Sequence, residues 1–304
     1  MQVYSIPINS DRREITHHGT SEFPIAVYET DLEKNVLGYV PWHWHEEIQF
    51  CYVVSERVCF HINHQKVVLE KDQGIFISSN ILHMATPADG KGGVYVCMDV
   101  DPALLRGFGG SVIARRYVNP VLENKNRPCL YLWGKDGWER EAVASMKTVY
   151  DLYRKKGEGY EMDITIALLS LWKELYLRIR EMAGTDVDAD PDPVMTGRDN
   201  ERIKQILSYI HEHFSEKVTL EQIAGQVNVS RNECCRFFKR YMGCSIFAYL
   251  MDYRILKSTE LLLATDWPVS MVASSCGFHT ASYYIEQFRR KRNATPGEYR
   301  SGRR

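Results

Sequence analysis

Hydrophobic positions along this chain follow two periods, and the change from one to the other divides it. From about Phe23 to Val100 the apolar residues come in short, alternating runs: Phe23 to Thr30, Glu47 to Glu56, Arg57 to Asn63, Lys66 to Leu69, Gly74 to Ser78 and Gly93 to Val100. Gly, Pro, Asn and Asp punctuate these runs, and each fits a β-strand. Many short strands at close spacing predict a sandwich or small closed barrel, with tight turns at Asn63-His64 and Asp72-Gln73-Gly74. Asp101-Pro102 opens a short helix, and the chain then reads as irregular to about Lys135.

Past Trp138 the period lengthens to that of a helix. Trp138 to Lys155 carries Ala142, Met146, Val149, Tyr150 and Tyr153 on one side. Tyr160 to Met182 is apolar around most of its girth, at Ile164, Ile166, Ala167, Leu168, Leu169, Leu171, Trp172, Leu175, Tyr176 and Ile179. Such a helix must be covered on more than one side, either within the monomer or by a second subunit. Residues 183–200 are rich in Asp, Pro and Gly without an apolar period, the composition of a linker.

From Glu201 to Arg300 the pattern predicts six or seven short helices containing one helix-turn-helix unit twice over, at Thr219 to Gly243 and Pro268 to Asn293. Each unit has a short amphipathic helix (Leu220, Ile223, Ala224, Val227; Val269, Val272, Ala273, Cys276), a polar turn, and a longer helix ending in a basic aromatic run. Ala224 and Ala273 are the small residues that let the second helix cross closely. Between the units, Phe247, Leu250, Met251, Ile255, Leu261 and Leu262 are spaced for one connecting helix within Ser245 to Ala264. A stiff spacer would let the two reading helices reach major-groove faces ~34 Å apart on one side of a duplex.

Charge favours the same reading. The chain as a whole carries −1, yet residues 199–304 hold sixteen Lys and Arg against eleven Asp and Glu. The basic residues form a stripe at Arg231, Arg236, Lys239, Arg240, Arg289 to Arg292, Arg300, Arg303 and Arg304, suited to phosphate.

This region resembles the DNA-binding domain of the AraC/XylS family of bacterial transcription regulators. The resemblance is carried by Ile210, Thr219-Leu220-Glu221, Ala224, Ser230, Phe238-Lys239-Arg240, Gly243, Tyr249-Leu250, Arg254, Leu261-Leu262, Gly277-Phe278, Tyr283, Phe288 and Thr295 to Arg300, about a third of the chain. It implies that Arg231, Asn232, Cys235 and Arg236 face the groove in the first reading helix, and Thr280, Ala281, Ser282, Ile285 and Glu286 in the second. Lys239, Arg240, Arg289 and Arg290 are then backbone contacts. Arg236 suits guanine and Asn232 adenine, each worth ~1–3 kcal/mol of discrimination. The sequence departs from the family at Glu233, at Glu286 where Arg is frequent, and at Asn293 in place of glycine.

Among the strands, His43-Trp44-His45, Gln49 and His83 stand out. Two histidines one residue apart share a face of a regular strand. The order resembles the metal-binding version of the cupin barrel, except that Gln49 stands where a carboxylate belongs, and an amide brings no charge to a cation. Glu46 and Glu47 are nearby, with Glu46 on the opposite face. Trp42, His43, Trp44, His45, Gln49, Phe76 and His83, with Phe50 and Tyr52, thus read as a pocket for a small polar effector such as a sugar, without a resident cofactor. A divalent metal at His43, His45 and His83 is the alternative.

At 304 residues, 44% apolar and 25% charged, the chain suits two globular domains. Nothing is long and apolar enough for a membrane span, the first residues lack a secretory pattern, and the eight cysteines form no CxxC pair, which together suggest a reducing cytoplasm. The expected fold is a multidomain α+β chain: a cupin-like effector barrel at 1–135, a helical dimerisation segment at 136–182, a linker at 183–200, and an all-α domain with two helix-turn-helix units at 201–304. The expected function is a cytoplasmic, homodimeric, non-enzymatic regulator that binds double-stranded DNA and a small-molecule effector, and RNA polymerase if it activates. A metal-dependent cupin enzyme, or a metal sensor, fused to a DNA-binding module is the competing reading.

Overall fold

A computed structural model describes residues 6–9, 12–63, 65–90, 92–124, 127–183 and 197–302. Most of the expected linker falls outside these residues, as do His64, Arg303 and Arg304. The chain divides into two compact units, one of residues 1–9 and 13–200, the other of residues 10–12 and 201–304.

Nine strands are found among the described residues of the first unit: β1 (Ile25–Asp31), β2 (Val40–His43), β3 (Ile48–Ser55), β4 (Val58–Ile62), β5 (Gln65–Leu69), β6 (Gly74–Ile77), β7 (His83–Pro87), β8 (Val94–Val100) and β9 (Cys129–Leu132). They form two antiparallel sheets, β1-β8-β3-β6-β9 and β2-β7-β4-β5. The β4–β5 turn uses Asn63 at φ 52°, and Asp72 takes φ 66° ahead of β6; both belong to the turns expected from the sequence, and Asn and Asp tolerate that conformation.

The five-stranded sheet is buried on both faces, which explains its nearly continuous apolar strands. One face (Ala26, Tyr28, Cys51, Val53, Ile75, Ile77, Tyr95, Cys97) shares a core with Val58, Phe60, Ile62, Val67 and Leu69 of the second sheet. The other face (Ile25, Val27, Ile48, Phe50, Tyr52, Phe76, Val96, Met98, Val100) packs on helices. Those helices are α3 (Gly137–Lys155) and α4 (Tyr160–Ala183), which follow α1 (Ala103–Arg106) and α2 (Asn119–Leu122). Asp136 and Glu139 form a capping box that starts α3. Ala142, Val143, Met146 and Val149 of α3 and Ile164, Leu168, Leu171, Trp172, Leu175 and Ile179 of α4 are buried in that core.

Three expectations need correction. The stretch to Lys135 is not irregular throughout, since a π-helical turn (Ala114–Val118), α2 and β9 lie in it. β2 and β7, each carrying a histidine and a proline, and β9 are not among the strands expected from the sequence. β2 ends at His43, so His43 and His45 do not share a regular strand.

The second unit holds α5 (Gly197–Glu212), α6 (Leu220–Gln226), α7 (Arg231–Met242), α8 (Ile246–Ala264), α9 (Val269–Ser275), α10 (Ala281–Arg292) and α11 (Pro296–Ser301). The duplication seen in the sequence extends to backbone detail. Ser230 and Thr280 cap α7 and α10 through their hydroxyls. Gly243 and Asn293 close both helices in the left-handed conformation, and Ser245 and Thr295 cap the helices that follow. Each pair is fifty residues apart. The first helices carry Ala224 and Ala273, both buried, and each is followed by a left-handed reversal at Asn228 (φ 51°) or Gly277 (φ 76°). The one expectation α8 fails is Phe247, which is 49% exposed rather than packed.

A Cβ on Gly277 would lie 2.8 Å from the Phe214 carbonyl oxygen, against backbone that cannot swing aside. Gly277→Ala therefore combines a left-handed φ with a clash, and urea unfolding should show a loss of at least ~1–3 kcal/mol. Asn293→Gly, at an open helix end, should stay within ~0.5 kcal/mol of wild type.

Candidate functional site

The second unit presents two matching stripes. On α7, Cys234, Phe238, Tyr241 and Met242 are buried, which turns Asn232, Cys235, Arg236 and Lys239 outward at the i, i+3, i+4, i+7 spacing of one helix face. On α10, Tyr284 and Phe288 are buried, and Ser282, Ile285, Glu286 and Arg289 face outward at the same spacing. Arg231, Arg240, Thr280 and Arg290 are exposed as well, and Ala281 is half-buried. Every residue that the sequence marked for DNA is thus on the surface or at its edge. The stripes differ in charge at one position, where α7 has Arg236 and α10 has Glu286. Arg231 is paired with Glu221 at 2.6 Å, both side chains being largely exposed.

In the first unit, His43, His45 and His83 are buried and come together, with ring centroids 4.1 Å apart for His43 and His83, 5.1 Å for His45 and His83 and 5.7 Å for His43 and His45. His43 and His83 face each other across the β2–β7 pair. His45 reaches them from the loop after β2. Each Nδ1 meets a backbone carbonyl: Pro41 for His43 at 2.8 Å, Glu47 for His45 at 3.1 Å, Ile81 for His83 at 2.8 Å. A carbonyl only accepts, so Nδ1 carries the proton in each ring. Burial drives the pKa of His43 well below its ordinary value, and that of His45 and His83 down to about 3, so the rings are neutral.

Other expected pocket residues divide. Gln49 lies beside the histidines, its amide donating to Asp99 Oδ1 at 2.7 Å and its carbonyl accepting from Cys51 Sγ at 3.2 Å. Trp42 is half-buried with its ring edge on His61, and Trp44 is buried with the Arg13 guanidinium over its ring. Phe76, Phe50 and Tyr52 instead belong to the core under α3 and α4. One residue along β3 separates Gln49 from Phe50, and that step changes the face.

Sequence reasoning missed three neighbours. Glu14 is buried, with Oε2 3.7 Å from His43 Nε2 and Oε1 3.7 Å from His18 Nε2. Burial, with Asp99 nearby, raises the Glu14 carboxyl to about 7. His18 Nδ1 is 3.2 Å from the Tyr28 hydroxyl and 3.5 Å from Asp99 Oδ2. Asp99 was detectable, because alternation in β8 puts it on the inner face with Tyr95 and Cys97. Glu14 and His18 had no periodic signal. Both line an open cleft of about 670 Å³ with Arg13, Thr16, Glu47 and Asp101 among its other walls.

Comparison with known proteins finds two families. Residues 32–132 match the family described as AraC-like ligand binding domain, and residues 223–302 match a helix-turn-helix domain. A Bacillus subtilis (strain 168) protein named uncharacterized HTH-type transcriptional regulator YdeC is 36% identical over 293 residues, covering 96% of this chain and 97% of its own. Regulatory protein PocR of Salmonella typhimurium is 33% identical over 99 residues, a third of each chain. The HTH-type transcriptional activator RhaS of Salmonella arizonae is 25% identical over 164 residues, 54% of this chain and 56% of its own.

Glu221 holds Arg231 beside the exposed stripe and repels phosphate. Glu221→Gln should therefore strengthen binding to nonspecific duplex DNA, and steepen its dependence on salt by about one counterion in a fluorescence-anisotropy titration.

Proposed function

The chain belongs to the AraC family of helix-turn-helix transcription regulators, a non-enzymatic family, and from that premise we propose how it reads DNA and what controls the reading. It binds DNA through its helix-turn-helix domain and carries the family's ligand-binding domain at residues 32–132. The observation that carries the finer reading is the pair of matched stripes on α7 and α10, exposed on one side and anchored by Phe238 and Phe288 on the other. Arg236 is the principal base contact, bidentate to guanine, with Asn232 beside it. Glu286 accepts from the cytosine amino group or leaves α10 to bind mainly through Arg289 and Arg290. Two such helices on one rigid domain read successive turns of the major groove.

The effector domain is the barrel within residues 1–135, and its ligand is a small polar molecule of the sugar class. Supporting this is the cleft lined by Glu14 and His18, whose walls offer Arg13, Thr16, His17, Thr20, Glu47 and Asp101 for hydroxyl groups; Trp42, His43, Trp44, His45, Gln49, Phe76 and His83, the pocket expected from the sequence, do not line it. Ligand binding shifts the protein between arrangements of different DNA affinity or polymerase contact.

Residues 136–182 carry the dimer interface. On α4, Met162 (71% exposed), Ile166 (61%), Leu169 (37%) and Leu177 (37%) run along one face that the monomer leaves open. An apolar helical stripe of this kind fits a second copy of itself. As a DNA-binding regulator the protein works in the cytoplasm, and no described helix is long and apolar enough to cross a membrane.

Arg236→Ala should weaken specific operator binding by ~1–3 kcal/mol and relax one base preference, leaving the melting temperature unchanged. Retained affinity and an unchanged footprint would remove Arg236 from the reading role. Ile166→Asp should convert the dimer into monomer in sedimentation at micromolar concentration; an unaltered sedimentation coefficient rules out α4 as the interface.

A further inference from the structure

We propose that Glu14 joins His43, His45 and His83 as the protein ligands of a divalent transition-metal ion buried behind the wall of the effector cleft. This deepens the effector site described above and rests on that assignment of the barrel.

The cluster has too many acceptors. With each Nδ1 proton given to a backbone carbonyl, the Nε2 atoms of His43, His45 and His83 all present lone pairs. His83 Nε2 is buried with no hydrogen-bond partner. His43 Nε2 has a carboxyl oxygen of Glu14 at 3.7 Å, beyond hydrogen-bond distance. For His45 Nε2 there is one long contact, at 3.4 Å, from the Gln49 amide, whose other N–H donates to Asp99 at 2.7 Å. One shared proton satisfies one of these lone pairs; a cation satisfies them together. Burying them unmet is costly.

Geometry agrees. One candidate ligand nitrogen from each ring lies within 4.8 Å of the others. An ion ~2.0–2.1 Å from each nitrogen requires separations of roughly 3.3 Å in a tetrahedral site, which ring rotation and a small contraction supply. Imidazoles whose other nitrogen donates to a backbone carbonyl are already oriented as ligands. Gln49, in the place where a carboxylate was missed, is occupied at both ends by Asp99 and Cys51. The negative charge comes instead from the segment ahead of β1, where the backbone N–H of Glu14 donates to the Trp44 carbonyl and so sits next to His43 and His45. Three imidazoles and a carboxylate suit Zn²⁺, Fe²⁺, Co²⁺ or Mn²⁺ better than Mg²⁺ or Ca²⁺. Because Glu14 also lines the cleft, the ion would tie the cleft wall to the barrel floor.

The test uses full-length protein stripped with chelator, then titrated with Co²⁺ by visible absorption and with Zn²⁺ by calorimetry. One ion per chain is expected. His83→Ala should abolish the Co²⁺ bands, and Glu14→Gln should shift them and weaken Zn²⁺ binding ~10- to 100-fold, while Glu46→Gln, at an exposed neighbour, leaves both unchanged. Failure of the stripped wild type to take up one ion per chain overturns the site, and so does a Glu14→Gln variant indistinguishable from wild type. DNA affinity measured on the same samples reports folding and separates the two readings: intact operator binding with no metal uptake removes the ion alone, whereas metal uptake without operator binding removes the regulator.

Discussion

The second unit depends on reversing the chain within a few residues so that a long helix can lie across a short one. At Asn228 and Gly277 the backbone turns left-handed, a conformation costly for most side chains. At Ala224 and Ala273 the carbonyl of the short helix accepts from the N–H groups on either side of that turn: Val227 and Val229 in one unit, Cys276 and Phe278 in the other. A larger side chain at either alanine would push the crossing apart. Given this reversal, Cys234 and Phe238, and Tyr284 and Phe288, have only inward positions to take, and Asn232, Cys235, Arg236 and Lys239, like Ser282, Ile285, Glu286 and Arg289, are forced out. The reading face is thus a consequence of what the core demands on the opposite face.

In the first unit the corresponding constraint is polar. The space between the sheets is apolar over most of its extent, yet near His43 it gathers three imidazoles, Glu14, His18, Gln49 and Asp99. Such a group is stabilised only if its hydrogen bonds close. They close around the edges, at the carbonyls of Pro41, Glu47 and Ile81, and remain open at the centre. The thiols on the same inner face, Cys51 and Cys97, are pushed well up in pKa by burial, so they act there as small core residues and not as nucleophiles.

The helical half was legible in the sequence because its rules are local. Caps, the small residue at the crossing, and the three-and-four spacing of exposed positions all fall within short windows, so even the substitution of Asn293 for glycine could be judged neutral to helix termination, as its φ of 54° agrees. Phe247 escaped because helical periodicity alone does not say that a turn of α8 lacks a neighbour. The barrel was legible in outline only. Alternation found six strands, including the short β4, β5 and β6, but missed β9 and also β2 and β7, whose histidines and prolines break an apolar run. The histidine cluster was found from residue type, whereas its acidic partners were not: Glu14 comes from a segment without periodicity, joined to Trp44 by a contact thirty residues away. Phe76 was assigned to the wrong face for want of counting one step along its strand.

The central claim is that one chain sets two groove-entering helices on the same side of a duplex. A hydroxyl-radical footprint of the wild-type protein on an operator selected from random sequence tests it most directly. The account predicts two protected patches for each bound domain, about ten base pairs apart and on one face. A single patch, or two on opposite faces, would contradict it.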